Sequence, residues 1–153
     1  MGKFKYKGSK FQSQGEYEIA KFLDEMDIEY EYEFPIAVVD DGKTKIWYPD
    51  FYLTKFQIVV DYFGMYNYNE SYRQSVEHKK KIFQECGIQF VPIYELNKGW
   101  REYLLKSIHH HLKAKSTKMN KILNQFDSEE DFQDSSKTPS IIKKIKKYFK
   151  KEN

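Results

Sequence analysis

The sequence contains a single cysteine, Cys86, among 153 residues. One cysteine excludes an internal disulfide and a cysteine-rich zinc site, and it is typical of proteins in a reducing compartment. No apolar run reaches the roughly 18 residues of a membrane span, and no basic-then-apolar segment of a signal peptide opens the chain. We therefore expect a cytoplasmic, intracellular protein with no membrane partner. No motif indicates a small-molecule cofactor.

Charge is unevenly distributed along a chain whose formal net charge is +3. Residues 1–105 carry 14 Lys and Arg against 17 Asp and Glu, whereas residues 106–153 carry 12 Lys against 6 acidic residues. A faintly acidic body with basic ends suits a phosphate-binding enzyme that has carboxylates at its centre. On charge alone, a solvated basic tail is the better explanation.

The length suits one domain with appendages, and 40% hydrophobic residues with 13 Tyr and 12 Phe are sufficient for a core. Composition and periodicity divide the chain into five segments. They are a basic N-terminal arm (1–12), a core (13–99), a C-terminal helix (100–126), an acidic, serine-rich linker (127–140) and a basic amphipathic helix (141–153).

Hydrophobic periodicity predicts the order of elements within the core. A capping box of Ser13 and Glu16 opens a helix over about 14–27. Alternating aromatic and acidic residues predict a half-buried strand over 28–39. A second strand is expected at 44–48 and continues after Pro49 through 50–53, a third is expected at 56–60 and a last one at 88–94, with a second helix at 71–86. We expect an α/β sandwich in the order helix, three strands, helix, strand, with the last strand beside the central one.

Two aspartates are placed symmetrically about the midpoint between the strands at 50–53 and 56–60. In an antiparallel hairpin about that midpoint, Leu53 faces Ile58 and Asp50 faces Asp61. Their Cβ atoms would then lie roughly 5 Å apart, and like charges at that spacing destabilise a sheet. A divalent cation removes the repulsion, and Mg²⁺ prefers such hard oxygen ligands. Taken singly, each aspartate also has an ordinary explanation as a turn residue or a strand terminus.

These residues resemble motifs of the PD-(D/E)XK nuclease superfamily, especially its small stand-alone Holliday-junction-resolvase-like and very-short-patch-repair-like members. The resemblance covers roughly residues 13–95 and is carried by Gln14-Gly15-Glu16-Tyr17-Glu18-Ile19-Ala20, Tyr48-Pro49-Asp50-Phe51 and Val60-Asp61-Tyr62-Phe63-Gly64. It implies a restriction-endonuclease-like αβββαβ core with a mixed central sheet flanked by helices. It also implies that Glu16, Asp50 and Asp61 bind Mg²⁺, or Mn²⁺ in its place, for hydrolysis of DNA phosphodiesters.

The family pattern requires a lysine where this sequence has Phe63. On a helical wheel, Val76, Ile82, Phe83 and Cys86 average to a direction close to Lys79, which therefore faces the core. Because a lysine rarely lies there without a partner, we expect Lys79 to replace the missing lysine. The alternative is a lysine that extends to solvent from the helix border, in which case the chain binds DNA without cutting it.

DNA is the expected partner, although no feature of the sequence excludes RNA. Relatives that cut two strands pair two sites, so the resemblance also implies a homodimer. The preferred DNA, branched or site-specific, and the pathway stay open. His78 is a further candidate for positioning water. The residues expected to contact nucleic acid are Lys3, Lys5, Lys7, Lys10, Tyr72, Lys80, Lys143, Lys144 and Lys147.

Overall fold

The computed structural model describes residues 4–128, and the chain divides between His111 and Leu112 into two compact units. The first unit carries all the strands found among these residues and the candidate site. In chain order the elements are β1 (Phe4–Tyr6), β2 (Ser9–Phe11), α1 (Gln14–Glu25), β3 (Glu31–Tyr32), β4 (Ile36–Asp40), β5 (Lys43–Trp47), β6 (Phe51–Leu53), β7 (Ile58–Tyr62), α2 (Glu70–Glu85), β8 (Gln89–Ile93) and α3 (Trp100–Ser128).

A four-stranded sheet in the order β3-β6-β7-β8 forms the centre of the first unit. The β3–β6 and β6–β7 pairs are antiparallel and the β7–β8 pair is parallel, so the predicted mixed α/β sheet flanked by helices is confirmed. The prediction that the last strand returns beside the central one is also confirmed. Strand β7 is apolar on both faces, and Ile58, Val59 and Val60 are fully buried.

The single strand predicted over 28–39 is wrong. The chain breaks at Glu33, which has φ 53°, and Pro35 follows where a strand would need an amide donor. Strand β3 consequently joins the central sheet, whereas β4 pairs with β5 in a separate two-stranded hairpin. The strand predicted to continue from 44 through 53 likewise divides at Pro49 into β5 and β6, so five strands lie between α1 and α2 where three were predicted. The predicted turn at Asp40-Asp41-Gly42 closes that hairpin, and Asp41 and Gly42 both have positive φ.

The predicted basic N-terminal arm contains a β-hairpin over residues 4–11. Strands β1 and β2 pair antiparallel across a turn at Lys7-Gly8, where both residues have positive φ. Phe11 is fully buried and its ring lies 4.8 Å from that of Tyr32 and 6.2 Å from that of Phe51. The burial of Phe11 anchors the hairpin to the sheet.

The long C-terminal helix α3 agrees with the prediction for 100–126 and extends two residues further. The rest of the predicted linker and the basic helix at 141–153 lie outside the described residues, as do Lys3, Lys143, Lys144 and Lys147. Among residues 4–128, no helix is both long and apolar enough to cross a membrane.

Candidate active site

Asp50 and Asp61 lie opposite each other at the open end of the β6–β7 hairpin. The register pairs Phe51 with Val60 and Leu53 with Ile58, as the symmetry of the sequence predicted. The amide of Asp50 donates to Oδ1 of Asp61 at 2.6 Å, and the amide of Tyr62 donates to Oδ2 of Asp50 at 2.7 Å. Each carboxylate is therefore held by a backbone amide of the opposite strand.

These two amides show that the prediction of a cation from carboxylate repulsion alone was too narrow. A cation is not the only group that can offset repulsion between the aspartates, because backbone donors stabilise both carboxylates. The two carboxylates nevertheless repel each other. Burial, together with the charges of Asp61 and Glu16, raises the pKa of Asp50 to about 8, although the Tyr62 amide and Lys79 act in the opposite direction. Burial beside Asp61 thus favours the protonated form of Asp50.

Lys79 reaches this pair from α2. Its Nζ lies 2.6 Å from Oδ2 of Asp61, whose side chain is 1% exposed. The ammonium of Lys79 is thus the partner of this buried carboxylate oxygen.

Phe63 occupies the position at which the family pattern has a lysine. It is buried and packs edge-on against the rings of Phe90 and Tyr72. The ammonium of Lys79 lies 5.6 Å from the centre of the Phe63 ring and 5.8 Å from that of Phe83. Helix α2 therefore places a cation beside Phe63 and against Asp61, in a largely apolar setting.

Glu16 is buried at the start of α1 and is occupied by other partners. Its amide donates to Oγ of Ser13, which caps the helix as predicted. Its carboxylate accepts hydrogen bonds from the Gln12 amide, the Ser13 hydroxyl and the Tyr32 phenol. Within residues 4–128, no group of three or more His, Cys, Asp or Glu side chains is arranged to hold a metal ion. The structure thus brings Asp50, Asp61 and Lys79 together and gives Glu16 a different set of contacts.

Tyr62, one of the tyrosines that the sequence places around the site, packs between the start of α1 and the end of β7. An ideal Cβ on Gly15 would lie 2.1 Å from Cε1 of Tyr62, and one on Gly64 would lie 2.7 Å from its hydroxyl oxygen. The ring therefore fills the space that side chains at both glycines would need, and it packs the start of α1 against the end of β7. The two glycines, each within a motif of the resemblance, were the sequence signal for this packing of Tyr62.

The remaining predicted contacts differ in how accessible they are. Tyr72 is half-buried near the aspartate pair, and burial, followed by the charges of Asp50 and Asp61, raises its pKa. Lys80 lies 3.2 Å from Glu77 and over the ring of Tyr94, so it has intramolecular partners.

The cations of the N-terminal hairpin are on its surface. Lys5 and Lys10 are exposed and face each other across the β1–β2 pair. Lys7 lies in the turn, with Nζ 3.4 Å from a carboxylate oxygen of Asp24. Like charges directly opposite each other destabilise a hairpin, and an anion bound between Lys5 and Lys10 would relieve that repulsion.

The donor set at the end of β6–β7 fits a hard divalent cation. Mg²⁺ is commonly held by one or two carboxylates, with water and substrate phosphate completing its coordination. Asp50 and Asp61 supply those carboxylates, which two backbone amides hold opposite each other. Glu16 does not join this donor set in the observed arrangement. No protein-family model, curated protein or solved structure matches this chain.

Proposed function

We propose that this chain is a metal-dependent endonuclease that hydrolyses DNA phosphodiester bonds, with a restriction-endonuclease-like core of the PD-(D/E)XK type. One observation carries the proposal: two opposed aspartates end the β6–β7 hairpin, and Lys79 reaches a buried oxygen of Asp61 at 2.6 Å. Two acids that can hold a metal ion and a lysine that can offset charge on a phosphate are suited to hydrolysis of a phosphodiester. Apart from the β4–β5 hairpin, the strands of the central sheet and the helices beside them follow the order α1, β3, β6, β7, α2, β8, which is consistent with that core.

Asp50 and Asp61 would hold Mg²⁺, with Mn²⁺ as a substitute. The ion, when bound, supplies polarisation of the phosphodiester and a lower pKa for an attacking water. The amides of Asp50 and Tyr62 fix the orientation of the two carboxylates before any ligand arrives. Because the pKa of Asp50 is raised to about 8, this carboxyl releases its proton when a cation binds, and affinity for the cation rises with pH.

Lys79 would stabilise the negative charge that develops on the phosphate during hydrolysis. Its ammonium is already positioned by Asp61 and by the rings of Phe63 and Phe83. The apolar rings lower the local dielectric, so the interaction between the ammonium and the phosphate is stronger than in water. Glu16 contributes here through its charge, which acts on Asp50. Its predicted role as a metal ligand stays a prediction.

DNA binding is supported by the surface cations of the N-terminal hairpin. The facing ammonium groups of Lys5 and Lys10 favour a phosphate between them. A homodimer, with one site for each strand, remains part of the proposal.

A catalytically inactive DNA-binding or assembly module is the second candidate. The position of Glu16 favours it, because three donors hold its carboxylate and no three-acid group is present among the described residues. Phe63 in place of the motif lysine favours it as well. A module of this kind would bind DNA with unchanged affinity when the aspartates are removed.

Cleavage of labelled nucleic acids distinguishes the two candidates. Duplex, flap, single-stranded and four-way-junction DNA, together with single-stranded RNA, are incubated with Mg²⁺, with Mn²⁺ or with chelator. Asp61→Asn serves as the matched variant, because its amide oxygen still accepts from the Asp50 amide while the charge is lost. The nuclease predicts metal-dependent cutting that disappears in Asp61→Asn. Binding without cutting in either metal would favour the inactive module. Preferential cutting of RNA would show that the substrate is RNA and not DNA.

A further inference from the structure

A cleft of about 500 Å³ opens between the β4–β5 hairpin and α2. One wall is formed by Ile46, Trp47 and Tyr48 and the other by Ser75, His78 and Lys79. Lys79 also contacts Asp61, so this open cleft shares one residue with the aspartate site.

The hairpin wall offers apolar and aromatic surface to solvent. Tyr48 is 61% exposed and Ile46 is 50% exposed. Trp47 is half-buried, and its ring meets the fully buried ring of Phe83 edge-on at 5.5 Å, which fixes its position. Rigid aromatic side chains next to exposed ones are suited to stacking against a flat ligand.

The α2 wall carries polar groups whose orientation is also fixed. Oδ1 of Asp40 lies 3.1 Å from Nε2 of His78, and Oδ2 of Asp40 lies 2.7 Å from Nζ of Lys45. Asp40 is itself buried, at 8% exposure. His78 and Lys45 therefore contact the two oxygens of one buried carboxylate. The wall combines the ammonium of Lys79 with an imidazole that Asp40 orients.

The aromatic surface of one wall and the ammonium of Lys79 on the other suit a ligand that is flat, aromatic and anionic. A nucleotide, with its planar base and its phosphate, has all three properties. We propose that the cleft binds an unpaired nucleobase of the nucleic-acid substrate, beside the phosphodiester at the aspartate pair. The relation to cutting rests on the proposed nuclease function, whereas binding of the base does not.

Binding of a base in this cleft selects the structure of the substrate. In a regular duplex both faces of a base are covered by its neighbours, so the base must leave the stack before it can meet Trp47 or Tyr48. That step costs least for a nucleotide that is already unpaired. The protein should therefore prefer DNA with a bulge, flap or junction to an uninterrupted duplex.

Fluorescence anisotropy in chelator tests this preference without any cutting. The probes are a fluorescein-labelled hairpin duplex with one bulged thymidine and the same duplex without the bulge, at one fixed salt concentration. Tyr48→Ala removes stacking surface at an exposed position. Tyr68→Ala is the matched control, since Tyr68 is 79% exposed and does not line the cleft.

We expect the wild-type protein to bind the bulged probe more tightly than the regular one. Loss of one stacked base on truncation to alanine corresponds to about 5- to 140-fold in affinity, so Tyr48→Ala should weaken binding of the bulged probe by that factor. Binding of the regular duplex should change little, and Tyr68→Ala should keep the preference.

Equal affinity of the wild-type protein for the two probes would overturn the proposal, and so would an equal loss in Tyr48→Ala and Tyr68→Ala. The outcome is separable from that of the nuclease. Metal-dependent cutting without any preference for the bulge would contradict base binding in the cleft and support the nuclease function. Suppose instead that the protein prefers the bulged probe, that Tyr48→Ala abolishes this preference, and that no DNA is cut in Mg²⁺ or Mn²⁺. This result would support base binding in the cleft and contradict the nuclease function.

Discussion

Asp50→Asn should change how the stability of the protein depends on pH. The folded protein keeps a proton on Asp50 up to a pKa of about 8, whereas an ordinary aspartate in the unfolded chain releases it near 3.8. The folded state therefore binds the extra proton between these values. The resulting stability is fully present below 3.8 and is lost as the pH rises through about 8.

The magnitude follows from the linkage between proton binding and folding. Each pH unit within this window changes the free energy of unfolding by about 1.4 kcal/mol. Near the upper pKa the slope decreases, so the wild-type protein should lose about 2 kcal/mol between pH 6 and pH 8. Asp50→Asn has no carboxyl to titrate and keeps an oxygen for the Tyr62 amide. Its stability should therefore lack this decrease.

Urea denaturation followed by tryptophan fluorescence at pH 6, 7 and 8 measures both profiles. Asp41→Asn is the matched control, since Asp41 is exposed in the β4–β5 turn and its substitution should leave the wild-type slope intact. Parallel profiles for the wild-type protein and Asp50→Asn would refute the inferred burial and charge of the pair. Saturating Mg²⁺ at a hundredfold excess over its Kd should stabilise the wild-type protein by about 2.7 kcal/mol, and Asp50→Asn by much less.

Two further substitutions test the packing around the site. Gly15→Ala should destabilise the protein by about 1–3 kcal/mol in urea denaturation, because its Cβ would lie 2.1 Å from Cε1 of Tyr62. Gly99→Ala is the control, with no neighbour of its Cβ closer than 3.8 Å, and similar midpoints for the two variants would contradict this packing. Tyr32→Phe removes the phenol that donates to Glu16 and should cost about 1–2 kcal/mol at pH 7. An unchanged midpoint would show that this hydrogen bond contributes nothing.

The parts of the site that were predictable from sequence are those fixed by regular geometry. An antiparallel hairpin pairs residues whose numbers have a constant sum, so the register of Asp50 and Asp61 followed from its midpoint. A helix repeats every 3.6 residues, so the apolar stripe of α2 located Lys79 on its inner face. Neither inference required knowledge of the tertiary fold.

The parts that were not predictable depend on contacts between distant segments. Alternation over 28–39 identified residues with strand character, but it could not show that Pro35 separates two strands belonging to different sheets. The capping box explained Glu16 locally, yet its bond from Tyr32 joins residues sixteen positions apart. The cleft beside Tyr48 arises only when the hairpin meets α2. Hydrophobic periodicity carries no information about tertiary contacts of this kind.

Single-turnover cleavage of labelled bulged DNA by Lys79→Met and Lys81→Met tests the central claim most directly. Lys81 lies on the same helix with its side chain 70% exposed, 3.8 Å from Glu85, so its substitution controls for loss of one positive charge. With Mg²⁺, the account predicts cutting by the wild-type protein and by Lys81→Met. Cutting by Lys79→Met should be slower by about 100- to 1000-fold, as for loss of one group that stabilises transition-state charge. Equal rates for the two variants, with circular dichroism showing both folded, would contradict the assignment of Lys79 to the active site.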